Sequence, residues 1–202
     1  MRGCARRSAD VFAQRGAGQE QGRGEAFGGF SYLWADTGDP GFEDGANGPG
    51  FLGEIAVFAN DWFGVGAEVG LNAGDVDVPV IQVFPTPDVD FTQWTFLVGP
   101  RFRLVTGDRS RFGAQAMVGL ARADIDVEFD PAVLPIIDEI DLTVAGFDDP
   151  ETAFGASFGV HFDLDVGERL VWRVVQPDLL ITTYGDDTQT HVRVASGLGV
   201  IF

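Results

Sequence analysis

Few side chains in this sequence could do chemistry. Among 202 residues there are two histidines, His161 and His191, one cysteine, Cys4, and no lysine. A lone cysteine excludes an internal disulfide and a multi-cysteine metal site, and two histidines are little material for a zinc centre. The arrangement nearest to a hydrolytic set is Ser157, His161 and Asp163, which share one face if that stretch is extended. Along a strand, Ser157 and His161 lie roughly 13 Å apart, and a nucleophile needs its base within hydrogen-bond reach. The expectation is therefore a protein that is not an enzyme, with no catalytic residues, no cofactor and no metal ligands.

What remains is electrostatics. The chain carries 31 acidic residues against 13 basic ones, a formal net charge of -18 and a pI near 4.1. Nucleic acid is excluded as a partner, because phosphate neutralisation needs clustered Lys and Arg. With 45% hydrophobic and 22% charged residues, the chain has the apolar material that an acidic disordered segment lacks. The length suits one domain. The 28 glycines are about twice the usual share of roughly 7%, and they need a reason.

The elements that would position these charges alternate with period two from Glu25 onward, without helical spacing. Phe63, Val65, Ala67, Val69 and Leu71 fall on one face, against Gly64, Gly66, Glu68, Gly70 and Asn72. Eight such segments are predicted: Glu25 to Asp36, Phe51 to Asn60, Trp62 to Ala73, Phe91 to Leu104, Phe112 to Asp124, Thr152 to Asp165, Leu170 to Tyr184 and Thr190 to Phe202. No apolar run approaches the roughly 20 residues of a membrane-spanning helix, whereas most of these segments reach the 9 to 11 or so that cross a bilayer as tilted strands. The connections alternate short and long, with tight turns at Asn60-Asp61-Trp62, Val105 to Arg111 and Val166 to Arg169. That is the layout of an outer-membrane barrel. The predicted fold is all-β, an eight-stranded antiparallel up-and-down transmembrane barrel over 25–202. Residues 1–24, rich in Arg, Gly and Gln, read as a disordered leader or the remnant of a signal peptide. Most segments carry their glycines on the face opposite the apolar one, which fits an interior so narrow that small residues must mix with a few large polar ones. Aromatic residues end the apolar face at Trp34, Phe51, Trp62, Trp94 and Phe154, as interfacial girdles do.

On these residues the sequence resembles the small outer-membrane proteins of the OmpA/OmpX-like β-barrel superfamily. The stretches that carry the resemblance are Phe27-Gly28-Gly29-Phe30-Ser31-Tyr32-Leu33, Val98-Gly99-Pro100-Arg101, Gln176-Pro177-Asp178-Leu179-Leu180 and the closing strand through Ile201-Phe202. The resemblance implies location in the bacterial outer membrane, both termini on the periplasmic side, and a monomer in contact with outer-membrane lipid and lipopolysaccharide. It implies a structural, adhesion or surface-interaction role. It also implies that the terminal strand, with Val200 and Phe202, resembles the signal read by the barrel assembly machinery.

The lumen then holds the chemistry. The predicted polar cluster is Glu54, Glu68, Arg101, Arg103, Asp178 and Arg193. A turn centred at Asp61 sets Glu54 opposite Glu68, and two such carboxylates need a cation between them. Arg101 is expected to bridge them, with Arg103 or Arg193 as substitutes. An interior filled in this way should act as a plug rather than as the small-conductance gate that members of the superfamily suggest. Most acidic residues fall in the long connections, including the run Asp124-Ile125-Asp126-Val127-Glu128. With no EF-hand spacing, solvated and mutually repelling loops are expected rather than a defined Ca²⁺ site. The alternative is a soluble lipocalin-like barrel binding a small apolar ligand, which requires large apolar residues inside and polar ones outside.

Overall fold

A computed structural model describes residues 24–36, 47–75, 88–128, 151–184 and 187–202. The eight strands are β1 (Gly24–Asp36), β2 (Asn47–Phe58), β3 (Phe63–Asp75), β4 (Asp88–Thr106), β5 (Ser110–Glu128), β6 (Glu151–Asp165), β7 (Leu170–Tyr184) and β8 (Asp187–Ile201). They close into one barrel in sequence order. β1 pairs with both β2 and β8, and each pairing is antiparallel. Closure matters physically, since a sheet without free edges leaves no unpaired backbone groups to face hydrocarbon.

The strands form because their alternation sorts side chains cleanly. Outward positions carry Phe30, Phe51, Ile55, Val65, Phe96, Leu120, Phe158 and Leu198, all exposed, with Phe30 at 71%. Inward positions carry Glu54, Glu68, Arg101, Gln115, Asp178 and Arg193, all buried. This is the inverse of the lipocalin pattern. The interior also holds apolar side chains outside the expected polar cluster: Leu33, Leu97, Met117 and Leu180 form one buried group, and Phe27, Leu52 and Ala195 another. Each of them occupies an inward position in the alternation.

The first short turn is held by Asn60, whose Oδ1 accepts hydrogen bonds from the backbone amides of Trp62 (3.1 Å) and Phe63 (2.8 Å), the local bonding that makes Asn a turn residue. The barrel seam is tied where the Gly24 amide donates to the Phe202 carbonyl at 2.8 Å and the Phe202 amide to that of Gly24 at 2.9 Å. A side chain at Gly24 would run into the Phe202 ring.

Most strand boundaries differ from the expectation by a few residues. Trp62 lies in the turn rather than in a strand, and β2 begins earlier, at Asn47. β4 and β5 are each 19 residues long, well beyond the roughly 10 that cross a bilayer. The acidic run from Asp124 to Glu128 thus belongs to a strand, with Asp90 opposite Asp126 and Asp88 opposite Glu128. Residues 1–23 and most of the long connections lie outside the described residues, and with them the expected leader and acidic loops.

Candidate functional site

The lumen is built in layers, each from side chains that the alternation turns inward on different strands. Nearest the short turns, Glu25 of β1 accepts from Arg103 of β4, at 2.7 Å from Nη2 and 3.2 Å from Nε. Arg111 of β5 also reaches Glu25, at 3.4 Å, and pairs with Asp165 of β6. The Arg103 guanidinium lies 3.5 Å from the centroid of the Phe58 ring, a cation–π contact strengthened by exclusion of water.

The next layer centres on Glu54 of β2. Its Oε2 accepts from Arg101 Nη1 at 2.8 Å and from Arg173 Nη1 at 2.5 Å, and its Oε1 from Gln176 Nε2 at 2.5 Å. Arg173 also makes a two-pronged pair with Asp163, at 2.8 and 3.2 Å, the planar fork geometry that distinguishes Arg from Lys. Glu68 of β3 pairs with Arg193 of β8, which also reaches Asp178 Oδ2 at 3.1 Å. One amide joins the two groups: Gln115 Nε2 lies 3.4, 3.3 and 3.3 Å from oxygens of Glu54, Glu68 and Asp178. In all, six carboxylates meet five guanidiniums in ion pairs within the described lumen.

At the next inward position toward the long connections, Met117 follows Gln115 on β5 and Leu180 follows Asp178 on β7, and both join Leu33 and Leu97 in the apolar cluster. Beyond it, Thr182 and His191 are 3.0 Å apart. The lumen is filled because glycines on the same face make room for these heads. A Cβ on Gly159 would strike Asp178 Oδ1, and one on Gly113 would strike the His161 ring.

The six residues singled out in the sequence are all inside, but they are wired differently. Glu54 does face Glu68 across the β2–β3 ladder. Arg101 meets Glu54, however, and Arg193 meets Glu68, so each carboxylate has its own cation instead of one shared bridge. Arg103 takes no part in that layer: two residues further along β4 it lies one inward position nearer the short turns, where Glu25 holds it. Arg173, which ties Glu54 to Asp163, was not among the expected residues. In β7 the pairing slips between Arg173 and Gln176. An extra residue there reverses the alternation and turns Arg173 to the same side as Gln176. The signal was present in Val174-Val175, two consecutive apolar residues where the pattern required one. Ser157, His161 and Asp163 are buried on one face of β6. His161 faces the Arg101 guanidinium at 3.4 Å and Asp163 at 4.0 Å, and the buried Ser157 hydroxyl has no hydrogen-bond partner among the described residues.

Comparison with known proteins agrees with this architecture. The family model of the outer membrane protein beta-barrel domain matches residues 9–197. The chain belongs to that family. Its place is accordingly the bacterial outer membrane, and the exposed apolar wall is the surface that meets lipid. No curated protein matches the sequence. Among solved structures, the chain is similar to the attachment invasion locus protein Ail of Yersinia pestis, at 14% identity and TM-score 0.52 over 89% of this chain and 99% of that one. It is similar to Neisserial surface protein A, at 12% identity and TM-score 0.57 over 91% and 100%. It is also similar to the outer membrane protein OprG from Pseudomonas aeruginosa, at 15% identity and TM-score 0.54 over 92% and 98%. At such identities the likeness is one of fold.

Proposed function

We propose that this protein is a membrane-anchored scaffold with a plugged lumen, and that its work is done by the surface it presents rather than by passage of solutes. The observation that carries the reading is the succession of two seals across the bore: the ion-paired layers around Glu54 and Glu68, then the apolar cluster of Leu33, Leu97, Met117 and Leu180. Opening a path requires separating buried charges with no water at hand to replace their partners. In this reading the short turns and both termini face the periplasm, following the usual arrangement of such barrels, and the long acidic connections face outward. The barrel acts as a monomer in contact with outer-membrane lipid and lipopolysaccharide, with a structural, adhesion or surface-interaction role. Ail, one of the structural neighbours, is named for attachment and invasion, and an adhesive role for the long connections is the natural form of this reading.

The protein is further proposed to be no enzyme, supported by the separation of Ser157 from His161, and to enter the membrane through the barrel assembly machinery. The outward-facing Val200 and Phe202 at the closing strand support that last step. Single-channel recording tests the plug: purified protein in planar bilayers is expected to give no sustained conductance, and stable steps that grow with salt concentration would overturn the proposal.

A further inference from the structure

The strand glycines differ in what surrounds them. Some on the lumen face are required, as at Gly113 and Gly159, because the side chains they accommodate occupy the space. Gly28 of β1 and Gly53 of β2 are different. They stand opposite one another in the ladder at outward positions of their strands, alternating with the exposed Phe30, Phe51 and Ile55. A Cβ at Gly28 would meet nothing within 4 Å, and one at Gly53 only the Val69 carbonyl oxygen at 4.0 Å. Strand propensity favours a β-branched residue at such sites, and glycine weakens them. Packing within the barrel gives no reason for either glycine.

The register shows what their absence of side chains creates. Phe30, Phe51, Leu71 and Trp94 are successive partners across β1 to β4 and form a ridge on the outer wall. The adjacent row is Gly28, Gly53, Val69 and Phe96, and the next is Ala26, Ile55, Ala67 and Val98. Below the ridge the wall drops to backbone, leaving an outward-opening cavity of about 540 Å³ lined by Gly28, Phe30, Phe51, Gly53, Val69 and Trp94 among others. That size falls within the roughly 300–1,000 Å³ of small-molecule sites.

We propose that this notch binds an acyl chain of a membrane phospholipid. The notch is continuous with the lipid-facing wall, and Phe30, Phe51, Val69 and Trp94 belong to that wall's exposed apolar residues. At this depth there is hydrocarbon to fill it and no water. The ridge crosses three strand spacings, ~14 Å, enough to hold a length of flexible chain beneath it. A second barrel fits less well. Small residues favour association by letting two backbones approach, but the Phe30 and Phe51 rings, 4.9 Å apart and highly exposed, stand at the edge of the floor and hold another rigid wall away. A flexible chain slides under them.

The test fills the notch. Gly28→Val/Gly53→Val places side chains into open space, and Ala114→Val/Ala116→Val, on the outer wall at β5, serves as control. Each protein is refolded into vesicles of dioleoylphosphatidylcholine, checked for the folded band in unheated gels, extracted in mild detergent and weighed by native mass spectrometry. The wild type and control are expected to retain one phospholipid, and the filled variant to retain about tenfold less. If the double variant does not fold, Gly28→Val alone carries the comparison. Equal retention by the wild type and the filled variant overturns the proposal. So does a dimer mass in the wild type that the filled variant loses, which would assign the notch to a second copy.

Discussion

Toward the short turns the lumen is packed with paired carboxylates and guanidiniums, whereas toward the long connections it closes over Leu33, Leu97, Met117 and Leu180. Both regions fill the same bore, yet they fail differently. An apolar layer loses packing in proportion to the volume removed. An ion-paired layer loses more than the pair contributed, because the partner left behind is a buried, uncompensated charge. The charged layers gain something else in exchange: bonds with direction. Glu54 holds Arg101 and Arg173 on one oxygen and Gln176 on the other, which ties β4 and β7 to β2 across the bore.

The largest effect should therefore come from the charged side. Glu54→Leu leaves Arg101 without its carboxylate and Arg173 with Asp163 and the Gln176 amide oxygen and is expected to cost about 4 kcal/mol, read as a lowered midpoint in urea unfolding from detergent micelles; a loss no larger than that of an apolar truncation would remove the contrast. Leu97→Ala in the apolar cluster is expected to cost about 3 kcal/mol in the same titration, without altering the ion pairs beneath it. The smallest effect belongs outside the lumen: Arg122 and Asp124 form a 3.5 Å pair that is largely exposed, and Arg122→Gln should shift stability by less than about 0.5 kcal/mol. A larger shift there would mean that the outer wall, and not only the bore, relies on charge.

Much of this was legible in the residues. Alternation in Phe63 to Leu71 and in the closing strand marks both faces of the wall, and the inward residues Glu54, Glu68, Asp178 and Arg193 follow from parity alone. The pairing of Glu54 with Glu68 follows from a local turn. Arg173 was not legible by parity, since one extra residue at Val174-Val175 reverses every position before it. Glu25 and Arg111 are not legible in this way because they sit at strand ends, where the sequence does not say whether a side chain lies in the bore or outside it. The apolar layer is not marked by residue type, because an inward Leu33, Leu97, Met117 or Leu180 has the same chemistry as the apolar residues that face lipid.

By itself the sequence determined the number of strands, the sorting of most apolar from polar faces and the presence of paired charges in the bore, because each of these depends on period-two patterning along one strand and on turn chemistry between neighbours. Only the tertiary structure decided which cation meets which carboxylate, and that a row of outward residues drops into a notch. Both depend on the stagger of strands around a closed barrel, which brings β8 to β3 across the bore through Arg193 and Glu68 and aligns Gly28 with Gly53 on the wall. No spacing within a single strand records that stagger, so it appears only when the sheet is closed.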